Sequence, residues 1–275
     1  MNMKKILALG ATLVFAAAAF TGCGGQQQAA SSSSASSSSG AGKAIVVGLD
    51  DNYPPMGFKD DSGEITGFDI DVAKEAAKRL GREVEFKAID WDSKEAELKS
   101  GRVDVLWNGL DITEKRKENM LFSDPYMDNR QVVFVRKGDD KGIKTEADLK
   151  GKVVGTQSGG TTEEYYDGNA EAKNSLKELK KYQDYISAFM DLENGRIDAV
   201  VSDEITGRYY MSKHGDKIAA LDIVVGPVSQ FGIGFRKDDT KLKDEIQKVI
   251  DEMVKDGTMA KISEKWFGKD ITLKK

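Results

Sequence analysis

The sequence predicts an α/β protein built from two similar lobes. Three observations carry this expectation. Strand-like and helix-like segments alternate along the chain, a short helix–Gly–turn–strand segment occurs twice, and the 275 residues suit one large domain or two modest ones.

The elements follow in order. Residues 44–49 are apolar and carry the β-branched Ile45, Val46 and Val47, which predicts a buried strand. Phe68, Val72, Ala76 and Leu80 recur at steps of four, one face of a helix that Gly81 stops. Residues 83–89 alternate as a strand does, Ser93 opens a short helix, and 103–107 reads as strand again. The last long helix spans 240–256, with Leu242, Ile246, Val249, Ile250 and Met253 on one face. Alternation at this spacing favours a mostly parallel sheet. The repeated segment runs from Leu98 through Gly101, Arg102, Val103 and Asp104 to Val105, and again from Leu192 through Gly195, Arg196, Ile197 and Asp198 to Ala199. Coincidence is the competing account, because such junctions are common in α/β proteins. As a true repeat it gives two lobes, each presenting a strand's carboxyl end, where open α/β sheets bind ligands, so that facing lobes enclose one site.

Composition narrows the function classes. The net charge of −5 argues against nucleic acid, whose phosphates call for clustered Lys and Arg. A single Cys excludes an internal disulfide, and Cys23 with His214 cannot complete a zinc site of about four ligands. A lone His also disfavours Ser-His-Asp and Cys-His hydrolases. No metal or other cofactor is expected.

Lys4 and Lys5 precede an apolar run over 6–20, the layout of a signal peptide and shorter than the ~20 residues of a membrane span. Phe20-Thr21-Gly22-Cys23 resembles a bacterial lipobox, with Phe where Leu is more usual; the alternative is a free buried Cys. The expected organisation is a signal peptide over 1–22, then a lipidated Cys23 with a Ser-rich tether over 23–42, whose composition suits a flexible coil. The folded body begins near Lys43.

Asp50-Asp51-Asn52-Tyr53-Pro54-Pro55 follows the first strand, and two carboxylates, an aromatic ring and rigid prolines there suit either a ligand loop or a solvated turn. Together with Gly67-Phe68-Asp69-Ile70-Asp71-Val72, this segment resembles the amino-acid-binding proteins of bacterial ABC importers, the extracellular solute-binding proteins of family 3. Further stretches agree in order: Asp90-Trp91-Asp92, Gly101 to Asp104, Ile112 to Arg116, Phe122 to Tyr126, Leu149 to Gly159, Asp198 to Asp203, and Gly257 to Gly268. The resemblance covers about 43–268.

The resemblance implies a two-lobed periplasmic-binding-protein-like clamp of type II, with two crossing segments near Arg130-Gln131-Val132 and Ser229-Gln230-Phe231. Lobe 1 would comprise 43–130 plus 229–275 and lobe 2 would comprise 131–228. It also implies site residues. Arg116 matches the carboxylate-binding Arg, in keeping with the bidentate guanidinium that an α-carboxylate favours. Gly159 and Thr161, at an apparent helix start, would offer N–H groups to the same carboxylate. Asp203 matches the ammonium-binding Asp, and Gly109 a carbonyl contributor. Asp111 departs from the usual Ser or Thr; either it strengthens the ammonium pairing, or it turns away or pairs with Arg116. Tyr53 and Trp91 match two aromatic walls around the ligand side chain. Asp50 and Asp69 match positions at the ligand's distal end. Asp50 with Asp51 leans toward Lys, Arg or His, while glutamine, cystine and other polar amino acids stay open. Trp107, Trp266 and Phe267 are assigned to packing.

The expected function is extracellular capture of a polar amino acid by a monomer, held to the membrane through Cys23, and delivery to ABC permease subunits by lobe closure, without covalent chemistry. Competing readings are a dehydratase-type enzyme with Asp111 and Asp203 as acid and base, the ligand-binding subunit of a sensor, and a surface adhesin.

Overall fold

The computed structural model describes residues 42–274. The expected signal peptide, Cys23 and most of the expected tether lie outside the described residues.

The chain begins with β1 (Gly42–Leu49), the short strands β2 (Asn52–Tyr53), β3 (Gly57–Lys59) and β4 (Ile65–Thr66), and α1 (Phe68–Arg79). Next come β5 (Arg82–Ala88), α2 (Lys94–Lys99), β6 (Val105–Asp111), α3 (Glu114–Asn119), β7 (Met120–Phe122) and β8 (Met127–Asn129). A second run of elements follows: β9 (Gln131–Arg136), β10 (Val153–Gln157), α4 (Thr161–Gly168), α5 (Ala170–Ser175), β11 (Glu178–Tyr182), α6 (Tyr185–Glu193), β12 (Ala199–Asp203), α7 (Glu204–His214) and β13 (Ile218–Val224). The chain then returns through β14 (Ser229–Arg236), α8 (Thr240–Lys255) and α9 (Thr258–Phe267).

These elements form two large sheets and a small three-stranded one, β2-β3-β4. Of the large sheets, one has the order β5-β1-β6-β14-β7, with β8 also paired to β14; the other has the order β11-β10-β12-β9-β13. The chain leaves the first sheet after Asn129, enters the second at Gln131, and returns across 225–228. The large sheets are mixed, not mostly parallel as the alternation suggests. β1 runs parallel to β5 and β6, and β10 to β11 and β12, but β14 opposes β6 and β9 opposes β12. Parallel neighbours need a crossover connection within one sheet, whereas β9 and β14 arrive from the opposite lobe and dock antiparallel.

The sequence repeat is a structural repeat. In each copy a helix ends, Gly101 or Gly195 takes positive φ (74° and 73°), and an Asp leads into the strand. The Asp104 carboxylate accepts the Val46 N–H at 3.1 Å, and Asp198 accepts the Val153 N–H at 2.9 Å. Each Asp thereby ties its strand to the neighbouring parallel strand, in mid-β1 in one lobe and at the start of β10 in the other. A second echo, visible only once the sheets are aligned, is Val135-Arg136-Lys137 against Phe235-Arg236-Lys237. Arg136 donates to the Ile197 carbonyl at 2.9 Å, and Arg236 to the Val103 carbonyl at 2.7 Å.

Helical faces pack as their spacing predicts. α1 buries Phe68, Val72, Ala73, Ala76 and Ala77, and α8 buries Leu242, Ile246, Val249, Ile250 and Met253. Helix α9, which the periodicity reading passed over, lies against α1 and α8; Phe267 meets Phe68 at 5.2 Å between ring centroids. Among the described residues no helix is long and apolar enough to cross a membrane.

Candidate functional site

Three strands end in polar side chains at one place. Asp111 is the last residue of β6, Gln157 of β10 and Asp203 of β12. They line a small cavity, about 10 Å³, together with Tyr53, Trp91, Gly109, Arg116, Gly160 and Thr161. That space admits about one water. Residues from both sheets form its wall, so the two lobes are closed on each other.

The acids belong to one network. The Asn129 Nδ2 donates to Asp111 Oδ1 at 2.8 Å and also to Asp203 Oδ1. Asp111 further accepts the Ser229 hydroxyl at 2.5 Å and the Thr161 hydroxyl, and Asp203 accepts the Gln131 amide at 2.7 Å. Asn129 and Ser229 are register partners on β8 and β14 beside the crossings, so the hinge itself buttresses both carboxylates. Burial, and then the charge of Asp111, raise the Asp203 carboxyl to about 6.

Arg116 is 3% exposed, on the short helix α3 that Thr113 caps through the Arg116 N–H at 3.2 Å. Its guanidinium donates to the Asp111 carbonyl at 3.0 Å and the Gly159 carbonyl at 3.2 Å, and its Nε lies 3.3 Å from Glu164 Oε2. A guanidinium has five N–H groups. The two hydrogen bonds use one on each terminal nitrogen and Nε faces Glu164 in an ion pair, which leaves one N–H on each terminal nitrogen, the pair that a bidentate carboxylate engages. Of the two readings of Asp111, neither a turn away from the site nor an ion pair describes it: Arg116 touches its backbone carbonyl, while its carboxylate stays at the cavity wall.

Gly109 takes φ 56°, and a Cβ there would stand 2.7 Å from the Tyr53 ring. Only Gly lets the Tyr53 ring approach β6 this closely. The Gly109 N–H donates to Asp69 Oδ2 at 2.6 Å, and the Tyr126 hydroxyl reaches the same oxygen at 3.0 Å.

Three expected ligand contacts stand behind the cavity wall. Asp69 is wholly buried beneath Gly109, and burial raises its carboxyl to about 7. It braces the β6 segment and does not line the cavity. Asp50 accepts the Gln157 amide at 2.6 Å, and burial raises it to about 6; it reaches the cavity only through Gln157. Its neighbour Asp51 is paired with Lys59. The Gly159 N–H is committed to Glu163 at 2.6 Å, so this group is not free for a carboxylate.

Residues 45–269 match the family described as bacterial extracellular solute-binding proteins, family 3. The chain belongs to this family. Among family 3 relatives, the L-cystine-binding protein TcyJ of Escherichia coli is 37% identical over 228 residues, covering 83% of this chain and 84% of the relative. The L-cystine-binding protein TcyA of Bacillus subtilis is 34% identical over 273 residues, covering 98% and 99%. A substrate-binding protein of an ABC uptake transporter from Streptococcus pneumoniae, solved with bound histidine, matches with TM-score 0.80 and 38% identity over 84% of this chain and 95% of that one. An ancestral arginine-binding protein bound to arginine matches with TM-score 0.76 and 42% identity, covering 82% and 98%. The fold is thus the two-lobed type II clamp of family 3, and the family and these relatives are solute-binding proteins.

Sequence reasoning passed over Gln157, Asn129, Ser229, Glu164 and Lys94. Gln157 carried a usable signal, since it ends a strand as Asp111 and Asp203 do. The others did not, because their roles depend on which segments face each other across the cleft.

Proposed function

We propose that this family 3 protein captures a free polar L-amino acid outside the cytoplasmic membrane and delivers it to an ABC permease. The observation that carries the reading is that the groups meeting at this cavity suit the two charged ends of a zwitterion. Arg116 keeps two donors suited to an α-carboxylate, and Asp111 and Asp203 converge where an α-ammonium would be received. Tyr53 and Trp91 are the walls for the side chain, and Gly109, Gly160 and Thr161 complete the lining. Gln157 is the polar group nearest the distal end, with Asp50 behind it; Asp69 supports the frame, and Gly159 serves through its carbonyl.

Closure works as signal and trap. Lobe 1 (43–130 plus 229–275) and lobe 2 (131–228) each contribute one acid, so an ammonium between them favours the closed form by relieving the repulsion of two buried carboxylates. The acids are held by amide and hydroxyl donors, which suits charge stabilisation more than proton transfer and supports binding without catalysis. A lipid anchor at Cys23 would keep the body near the permease, and the ligand-carrying form acts as a monomer.

The test is a thermal-shift screen of ligand-stripped protein against the twenty L-amino acids, ornithine and cystine. At about 1,000 times Kd, linkage stabilises the closed form by roughly 4 kcal/mol. For a body of this size that is a shift of about 8–16 °C. A shift confined to Lys, Arg, His or ornithine would establish the cationic preference, and a shift with cystine would place the protein with its cystine-binding relatives. No shift with any of them would overturn the amino-acid reading.

A further inference from the structure

Glu164 lies on α4, in the second lobe, yet both of its carboxylate oxygens are bonded to α3 and its cap in the first. Oε1 accepts the Thr113 hydroxyl at 2.8 Å, and Oε2 lies 3.3 Å from Arg116 Nε. The Thr113 oxygen at the same time accepts the Arg116 backbone N–H, so the four groups form a closed ring across the cleft. The preceding residue, Glu163, turns back to its own lobe, to the Gly159 N–H and to Lys181 at 2.7 Å. Glu164 alone of the two spans the gap.

Beside this ring stands a buried cation. Lys94, 4% exposed on α2, donates to the Trp91 carbonyl at 3.2 Å and to the Gly159 carbonyl at 2.8 Å. That carbonyl is also the acceptor of Arg116 Nη2, so two cations share one oxygen. Lys94, Arg116 and Glu164 together sum to one positive charge when Lys94 is protonated, which one ligand carboxylate neutralises. Burial, and then the charge of Arg116, lower the Lys94 ammonium to about 7, while Glu95, Asp92 and Glu164 favour its protonation.

We propose that Glu164 is a positioning residue and cross-cleft clasp: it fixes the Arg116 guanidinium for the ligand carboxylate only when the lobes are closed, with Lys94 balancing the charge. This rests on the amino-acid reading of the cavity. In an open cleft Arg116 keeps only its own-lobe bond to the Asp111 carbonyl, because Glu164 and the Gly159 carbonyl both belong to the other lobe. Closure adds two contacts that orient the fork, and a pre-oriented fork loses less freedom on gripping a carboxylate. Ligand enters the open cleft and leaves only when the clasp parts, so loss of the clasp speeds escape and does not slow capture.

The test uses the full chain, with L-cystine, L-arginine and L-histidine as probes. Affinity is measured by calorimetry and dissociation by stopped flow for the parent, Glu164→Ala and Glu164→Gln. Glu164→Ala is expected to weaken the probe that the parent binds by about 10- to 30-fold, almost wholly through faster dissociation. Glu164→Gln, which keeps acceptor oxygen but not charge, should recover part of the loss. Glu164→Ala within twofold of the parent, or a loss carried by slower association, overturns the clasp. A parent that binds none of the probes defeats the amino-acid reading for them. The clasp is then decided by the inter-lobe distance from fluorescence transfer in ligand-free protein, where an unchanged distance in Glu164→Ala overturns it and a longer one supports it.

Discussion

The two lobes repeat one scaffold and then depart from it within a few residues. β6 ends in Asp111 and β12 in Asp203, and in each lobe an Arg follows five residues later, Arg116 in one and Arg208 in the other. Their fates differ. Helix α7 begins directly after Asp203, and Arg208 stays on its surface, bonded to Glu204 at 2.7 Å with its side chain 49% exposed. After Asp111, Ile112 and the cap Thr113 intervene before α3, and Arg116 turns inward to 3% exposure. Two residues of delay, and a different cap, separate a solvated helix pair from the cation of the site. The repeated parts supply a frame with an acid at each strand end, and the unrepeated parts supply the buried guanidinium beside the cavity.

That comparison can be broken most sharply at the two arginines. Arg116→Ala is expected to weaken amino-acid binding by tens to thousands of fold, because removing one partner of a desolvated charge pair costs about 2–5 kcal/mol. Arg208→Ala should bind within twofold of the parent, measured by the same calorimetry. If the two variants lose affinity equally, the distinction between them fails.

A second pair probes the frame that the lobes share. Arg136→Ala and Arg236→Ala each strip a carbonyl, Ile197 or Val103, of a side-chain donor at the strand entry. Each should lower stability by about 1–3 kcal/mol in urea unfolding, since a buried acceptor left unpaired bears its desolvation penalty. Ligand affinity should change little. A large loss in one lobe and none in the other would show that the repeat is geometric but not energetic.

The last effect is a graded one with pH and belongs to the first lobe. The Asp69 carboxyl is raised from an ordinary 3.8 to about 7 by burial. Between those values the unfolded chain has released the proton that the folded chain keeps, so stability falls as pH rises through this window. One such group contributes at most about 1.4 kcal/mol per pH unit. Asp69→Asn, which retains an acceptor for the Gly109 N–H, should flatten the decline between pH 4.5 and 7 in urea titrations. An unchanged slope would mean that Asp69 is ionised in the folded protein.

Much of the fold was legible because it is local. The steps of four in α1 and α8, the β-branched run of β1 and the Gly stops at Gly101 and Gly195 each depend on neighbours in sequence, and the family resemblance extends over nearly the whole body. The mixed character of the sheets was not legible, because antiparallel docking of β9 and β14 follows from the crossings and not from any local pattern. The cavity divides in the same way. Tyr53, Trp91, Gly109, Asp111, Arg116, Thr161 and Asp203 were named from motif positions and meet around one space. Asp50, Asp69 and Gly159 were named on the same grounds but stand behind its wall, because a motif position says which segment approaches and not which atom faces inward.

The sequence by itself therefore determined the family, the repeated frame and the residue types at the strand ends, all of which are written in short-range spacing. Only the tertiary structure decided which groups are already committed. The Asp51 charge is taken by Lys59, the Gly159 N–H by Glu163, and three of the Arg116 donors by Asp111, Gly159 and Glu164. The physical reason is that hydrogen-bonding capacity is finite and is allotted by contacts between segments far apart in the chain, so what remains for a ligand is known only after every nearer partner has been counted.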